Sequence, residues 1–399
     1  MKIAIFSDNF YPELSGISDS ILTLGKELAK NNHMVDYYVP FYSNKNYRQA
    51  NVLNQELDLG NNIKINRLFS FSFPTSTGQA RMVIPLISTL KNIRNFKPDI
   101  IHSQLFFGAG LDALLASRWP KIPFVGTNHT AISEFVRYSP IKSEWFKNLS
   151  LRYVSWYYNA CDFVTAPSQF VFDEMVQHGF HKPHQVLSNP IDTEEFTPVT
   201  PEKKAELKME FNLPKHVIFY AGRIAAEKNI DIIIKALAVA QKQIPDLKLV
   251  IAGQGAAMES LKKLAKELQI ENNVIFLGLL NKSALVRYYQ SSDVFVITST
   301  SETQSLVLMQ GMASGIPAIG VRARALPEYI NDQNGLLVEP GDFKTLAEKI
   351  VFLINNPDKL ELLGRGALDF VQKFSTPHIA QEWISVYNKT MSLSKTRSK

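Results

Sequence analysis

One cysteine, Cys161, stands among 399 residues, so an intramolecular disulfide is excluded and a reducing cytoplasm fits. Long apolar runs are missing as well; no stretch approaches the roughly 20 residues that a membrane span needs. The N-terminal MKIAIFSDNFYPELSG has an apolar run of only four residues before Ser7 and Asp8. That is too short for the core of a signal peptide and reads as a first strand. Excess charge of one sign is scarce outside the C-terminus. Lys389, Lys395, Arg397 and Lys399 fall in the last eleven residues with no acid beside them, and the rest of the chain carries 39 basic against 37 acidic groups. With no basic stripe and no recognition motif, nucleic-acid binding is not supported. A short basic tail, expected to be disordered, still suits an anionic membrane surface.

Short β-branched and aromatic runs alternate with helical patterns, the signature of parallel βαβ units. Strands are expected at 2–6, 35–39, 63–68, 99–103, 122–127, 162–166 and 184–188, and again at 217–222, 247–253, 273–278, 293–299, 316–321 and 334–340. Between the two sets lies NPIDTEEFTPVTPEKKAELKMEFNLPK (189–215), rich in Pro and charge. A linker is placed near 190–205. The fold class is α/β: two doubly wound domains with a cleft between them. Ligands of such sheets bind beyond the carboxyl ends of the strands. Four polar loops lie there: 7–16, 126–130, 222–229 and 298–305.

Each loop has a bland reading beside a functional one. In GRIAAEKN (222–229), Arg223 and Lys228 suit a pyrophosphate, or are solvated charges paired with Glu227. Gly253-x-Gly255 begins like a dinucleotide fingerprint, but Met258 replaces the third glycine, and a tight turn is the better reading. Ser15-Gly16 lets backbone amides approach a ligand, or is a plain turn. His129 can face a ligand as a hydrogen bonder or general acid/base, or be structural. In TSTSETQSLVLMQGMASGIPAIG (298–320), Ser305, Leu306 and Val307 offer amides at a helix N-terminus, an anion site. Glu302 precedes that terminus, where an acid can also be a mere cap on the helix dipole, and Gln310 lies two turns beyond. A carboxylate, free amides and a second polar group along one face match a sugar–diphosphate–ribose ligand. No metal-ligand spacing stands out, so Arg, Lys and the helix dipole would meet the phosphate charge.

Taken in order and spacing, YPELSG, TNHT, YNACDFVTAPSQ, SNPIDTEEF, GRIAAEKNID, IAGQG, NVIFLG and SETQSLVLMQGMASGIPAIG resemble the retaining glycosyltransferases of family 4, two-domain enzymes of GT-B fold. The resemblance spans nearly the whole chain. It implies transfer of a sugar from a nucleoside diphosphate donor with retention, no metal and no cofactor beyond that donor substrate. By the same resemblance Arg223 and Lys228 would hold the pyrophosphate, aided by Gly16 and the amides of Ser305, Leu306 and Val307. Glu302 would bind hydroxyls of the donor sugar, and His129 would contact that sugar near the reacting centre. The leaving phosphate would assist deprotonation of the acceptor on the same face. Two departures stand out: Gln310 replaces a Glu that binds the ribose, and Ser15-Gly16 replaces two glycines. The implied boundaries are 1–197 for an acceptor domain and 198–375 for a nucleotide-sugar domain. A helix over 376–392 would cross back to the first domain, and 393–399 would be a basic tail.

The single glycine and the SETQ run resemble the branch that glycosylates membrane lipids, including diacylglycerol. Two segments offer apolar and basic residues for a lipid surface: 70–96, with Arg81, Lys91 and Arg94 (and Lys97 just beyond), and 141–159. The second interleaves Trp145, Phe146, Tyr153 and Trp156 with Lys142, Lys147 and Arg152. A partly buried helix with a solvated face is the stronger reading of each. The expected protein is a cytoplasmic transferase, peripheral on the inner membrane face, moving a hexose from a uridine or guanosine diphosphate sugar, UDP-glucose favoured, to a lipid or envelope glycan. The rivals are a transferase with a soluble sugar or sugar-phosphate acceptor and a non-catalytic sugar-nucleotide binder.

Overall fold

The structure, a computed structural model, describes the chain apart from residues 14, 51, 53–56, 73–80, 86–87, 119, 132, 134–142 and 398–399. It divides into two compact units, one of Met1–Pro190 with Thr376–Lys399 and one of Ile191–Ser375.

The first unit contains β1 (Lys2–Phe6), β2 (Met34–Pro40), β3 (Ile63–Leu68), β4 (Ser70–Ser72), β5 (Arg81–Val83), β6 (Ile100–Ser103), β7 (Phe124–Thr127), β8 (Phe163–Ala166) and β9 (His184–Val186). Seven of them form a parallel sheet in the order β3-β2-β1-β6-β7-β8-β9. The chain winds outward from β1 to β3 and returns beside β1 at β6, so the strand order reverses between β1 and β6. Helices cover both faces, which is why β6, β7 and β8 are buried along their whole length. Phe6 stacks on Tyr38 at 4.5 Å, and the helix Gly16–Lys30 buries Ile21, Leu24 and Leu28 at helical spacing.

Two features depart from expectation. β4 and β5 pair antiparallel as a separate two-stranded ribbon; runs of three residues are too short to show a period. Of the C-terminal residues expected as a disordered tail, those up to Arg397 are helical, since the last helix runs from Thr376 to Arg397. Its residues Trp383, Val386, Tyr387 and Thr390 are buried, Met391 and Leu393 stay half-buried, and the basic end favours a helix C-terminus.

The second unit contains β10 (Val217–Ala221), β11 (Lys248–Ala252), β12 (Val274–Gly278), β13 (Val294–Ile297), β14 (Ala318–Val321) and β15 (Gly335–Val338). Their order is β12-β11-β10-β13-β14-β15, all parallel. The reversal falls between β10 and β13. Part of the expected linker belongs here: Thr200 caps the helix Pro201–Glu210, whose Lys204 and Lys208 grip Asp293 at 2.8 and 2.7 Å. Burial alone would raise the Asp293 carboxyl, but the two ammonium groups outweigh it and hold it below the usual range. Packing also aims the helix Leu306–Ala313. Tyr289 lies 4.9 Å from Phe219 and 5.8 Å from Phe295, and its hydroxyl donates to Val307 O at 2.7 Å. A Cβ on Gly311 would meet the Phe295 ring at 3.3 Å, so the small residue there sets how closely the helix lies on the sheet.

Candidate functional site

The loops leaving β10 and β13 meet where the second sheet reverses, the usual ligand position in such sheets. Asn229 adopts a left-handed conformation, with φ 50°, that short polar side chains tolerate. Its amide donates to Thr298 O at 3.2 Å and to Thr300 Oγ1 at 3.3 Å. In return Thr298 Oγ1 donates to Lys228 O and Asn229 O at 3.0 and 2.9 Å. The two loops are stapled, and Lys228 and Glu302 face each other across the staple. Lys228 Nζ lies 2.7 Å from Glu302 Oε1, with the side chains 17% and 12% exposed. Ser299 Oγ lies 3.5 Å from the same ammonium. Arg223 reaches the buried Glu227 carboxylate at 2.6 Å. The loop after β14 adds Arg324, whose Nε donates to Thr300 O at 2.7 Å.

Ser305 is the N-cap of the helix Leu306–Ala313, and its hydroxyl accepts from Leu308 N at 3.4 Å. The amides of Leu306 and Val307 lie in the first turn, where no carbonyl of the helix can reach them. Gln310 Oε1 is buried and has no hydrogen-bond partner among the described residues. A buried amide oxygen is normally satisfied; a ligand hydroxyl would satisfy this one.

Gly253 and Gly255 shape the site from behind. Gly253 has φ 141°, and a Cβ there would stand 1.8 Å from Gly222 O; one on Gly255 would stand 2.1 Å from Ile224 O. The loop after β11 presses against the one that bears Arg223, and Ile224 N donates to Gln254 O at 2.8 Å. The Gly-x-Gly run is a backbone close approach, in keeping with the turn reading.

In the first unit, Ser15 is the N-cap of the helix Gly16–Lys30 and accepts from Ser18 N at 3.1 Å. The serine that departs from a double glycine thus has a capping task, and Gly16 opens the helix. His129 follows β7, buried, with Nε2 2.7 Å from Gln104 Oε1. Burial pushes its pKa down to about 4. Asp8, after β1, accepts from Ala109 N at 3.0 Å and caps the helix Gly108–Arg118; burial raises its carboxyl to about 6.

Of the residues singled out in the sequence, Lys228 and Glu302 touch, Arg223 pairs with Glu227, and Ser305, Leu306, Val307 and Gln310 share one helix or its cap. Gly16 and His129 lie on separate loops of the first unit. Asn229, Thr298, Ser299, Arg324 and Gln104 escaped the sequence reading. Only Asn229, an Asn just before a helical pattern, carried a signal there, that of a cap.

Of the two segments that the sequence offers for a lipid surface, 70–96 holds the β4–β5 ribbon, and Arg81 is turned back to Ser70 Oγ at 3.0 Å. On the helix Glu144–Asn159, Trp145, Leu149 and Trp156 are 73%, 49% and 54% exposed. With exposed Arg152 they form one outward stripe, while Leu151, Val154, Tyr157 and Tyr158 are buried on the other side. Lys142 and the side chain of Lys147 lie outside the described residues. No helix among the described residues is long and apolar enough to cross a membrane.

Comparison with known proteins bears on both units. Residues 14–195 match the family described as Glycosyltransferase Family 4, and residues 202–369 match Glycosyl transferases group 1. The chain is 28% identical to the alpha-monoglucosyldiacylglycerol synthase of Streptococcus pneumoniae, over 90% of this chain and 80% of that one. It is 24% identical to the protein of the same name from Acholeplasma laidlawii, over 98% and 95%. Among solved structures, Anabaena HepE in complex with UDP superposes with a TM-score of 0.77 at 21% identity, over 98% of this chain and 100% of the other. That likeness gives the fold, two Rossmann-like domains of GT-B type.

Proposed function

Because the chain belongs to the family 4 and group 1 glycosyltransferases, we propose that it moves glucose from UDP-glucose to a membrane lipid such as diacylglycerol, with retention and without a metal. The Lys228–Glu302 pair at the reversal of the second sheet carries this reading. The two charges neutralise each other. A diphosphate would draw the Lys228 ammonium to itself, with Arg223 gripping further oxygens and the amides of Leu306 and Val307 completing the anion site. Glu302, released, would accept hydrogen bonds from hydroxyls of the sugar and hold the anomeric carbon in place. Gln310 Oε1 would take a ribose hydroxyl, satisfying its buried oxygen. The role assigned to His129 is a contact with the transferred sugar as a neutral hydrogen bonder, in keeping with its lowered pKa. Gly16 supplies a backbone amide. Negative charge developing on the leaving phosphate is stabilised by Lys228 and Arg223, and that phosphate takes the proton of the acceptor hydroxyl as the new bond forms on the same face.

The acceptor rests on two supports. Two relatives over most of the chain are named for synthesising monoglucosyldiacylglycerol. The Trp145–Leu149–Arg152–Trp156 stripe suits the interface of a bilayer, where indole rings sit at headgroup level and a cation meets anionic lipid. Peripheral attachment to the membrane follows from that reading.

The test is release of sugar from a panel of nucleotide sugars, with and without anionic liposomes containing diacylglycerol. Glucose recovered in the lipid phase from UDP-glucose is the expected result. Transfer only to soluble sugars or sugar phosphates would overturn the acceptor, and binding without turnover would overturn the enzyme.

A further inference from the structure

We propose that Gln104 positions His129, and that Tyr387 on the C-terminal helix governs that position through His102. The catalytic consequence rests on the reading of His129 as a contact of the transferred sugar; the positioning itself does not. All four residues belong to the first unit.

Gln104 and His129 follow the neighbouring strands β6 and β7, and Gln104 Oε1 lies 2.7 Å from His129 Nε2. A carbonyl oxygen can only accept. His129 therefore carries its proton on Nε2 and, in the neutral ring, a lone pair on Nδ1. The tautomer depends on which end of the Gln104 amide faces it, and His102 decides that. Gln104 Nε2 lies 3.3 and 3.2 Å from the two ring nitrogens of His102. Both nitrogens are already engaged, Nδ1 with the Tyr387 hydroxyl at 2.9 Å and Nε2 with the Thr127 hydroxyl at 2.7 Å. Burial, with the nearby His129 adding to it, keeps His102 neutral and lowers its pKa to about 3. A neutral imidazole tolerates the amino end of an amide beside it and repels the oxygen, so the oxygen turns to His129.

Tyr387 and Trp383 hold the His102 ring, the indole at 4.4 Å between centroids. A helix that begins at Thr376 thus reaches a residue 285 positions earlier in the chain and, two hydrogen-bonded groups further on, His129. Buried polar chains of this kind orient their members only while each link is made.

Ring nitrogen spectra of the full chain labelled with 15N-histidine read the tautomer directly, with His129→Asn assigning the resonance. The expected result is a single Nε2–H form for His129. Gln104→Met should give mixed tautomers. It should also lower kcat roughly tenfold to a hundredfold, with the donor KM changed by less than about twofold. Gln104→Glu restores an acceptor and should return the Nε2–H form. Tyr387→Phe should broaden or shift the His102 and His129 resonances together. An unchanged His129 tautomer in Gln104→Met overturns the proposal. A changed tautomer at unchanged kcat upholds the positioning and overturns instead the role of His129 in transfer. If Gln104→Met does not fold, Tyr387→Phe decides: unchanged ring spectra overturn the proposal.

Discussion

The Lys228 ammonium and the Glu302 carboxylate, 74 residues apart in the chain, lie 2.7 Å from each other on loops that leave adjacent strands β10 and β13. Neither is fully desolvated, so the pair is separable. Either partner can be recruited by a ligand of the right charge while the other turns to hydroxyls.

Glu302→Gln keeps the shape of that side chain and removes its charge. We expect transfer to slow by roughly a hundredfold to a thousandfold, with the fold retained by circular dichroism. Steady-state kinetics on the best donor checks it, and an unchanged kcat would remove Glu302 from the reaction.

Gln310 offers a second handle, because its buried Oε1 lacks a partner among the described residues. Gln310→Leu should weaken UDP binding about tenfold, and Gln310→Glu should tighten it by a similar factor through charge-assisted hydrogen bonds. Calorimetric titration with UDP reads both, and equal affinities across the three proteins would remove Gln310 from the ribose contact.

Gly253→Ala probes the buttress behind Arg223. The new methyl would meet Gly222 O in a left-handed backbone conformation, and a loss of at least about 3 kcal/mol is expected. Thermal unfolding measures it; a variant as stable as the parent would mean that the two loops are not in contact.

Acid should reveal opposing sets of buried groups. His129 and His102 are held down to about 4 and about 3 from an ordinary 6.5. Below pH 6.5 the unfolded chain therefore takes up protons that the folded chain refuses, and stability falls as the pH drops. Asp8 and Asp112 are raised by burial from 3.8 to about 6; below pH 6 the folded chain binds more protons, and stability rises. His129→Asn removes one member of the first set. Its stability relative to the parent should rise by up to about 3 kcal/mol between pH 7 and pH 4. Urea unfolding at the two pH values checks this, and a pH-independent difference would contradict the lowered pKa.

Trp145→Ala and Trp156→Ala remove the most exposed apolar side chains of the outward stripe. Each should weaken binding to anionic liposomes roughly tenfold while leaving thermal stability nearly unchanged. Cosedimentation reads the first, and full binding by the double variant would remove this helix from the membrane contact.

Much of the fold was legible in the sequence because parallel strands covered on both faces leave continuous apolar runs, as VIFYA and VFVI do at 217–221 and 294–297. The β4–β5 ribbon was not legible, since three-residue strands show no period. Nor was the helical state of residues 393–397, which prolongs a helix packed against Gly16–Lys30 at the far end of the chain. At the candidate site the charged residues stood out by their place after strands. Thr298 and Asn229, which staple the loops, are ordinary turn residues until the loops are brought together.

Sequence alone determined the class of the chain, two α/β units with polar loops at strand ends, because periodicity and loop chemistry are local properties. Which groups pair was decided by tertiary structure. Lys228 with Glu302, Gln104 with His129 and Tyr387 with His102 each join residues on different elements. Hydrogen bonds and ion pairs form only at contact distance, and strand order, which local sequence does not encode, sets those distances.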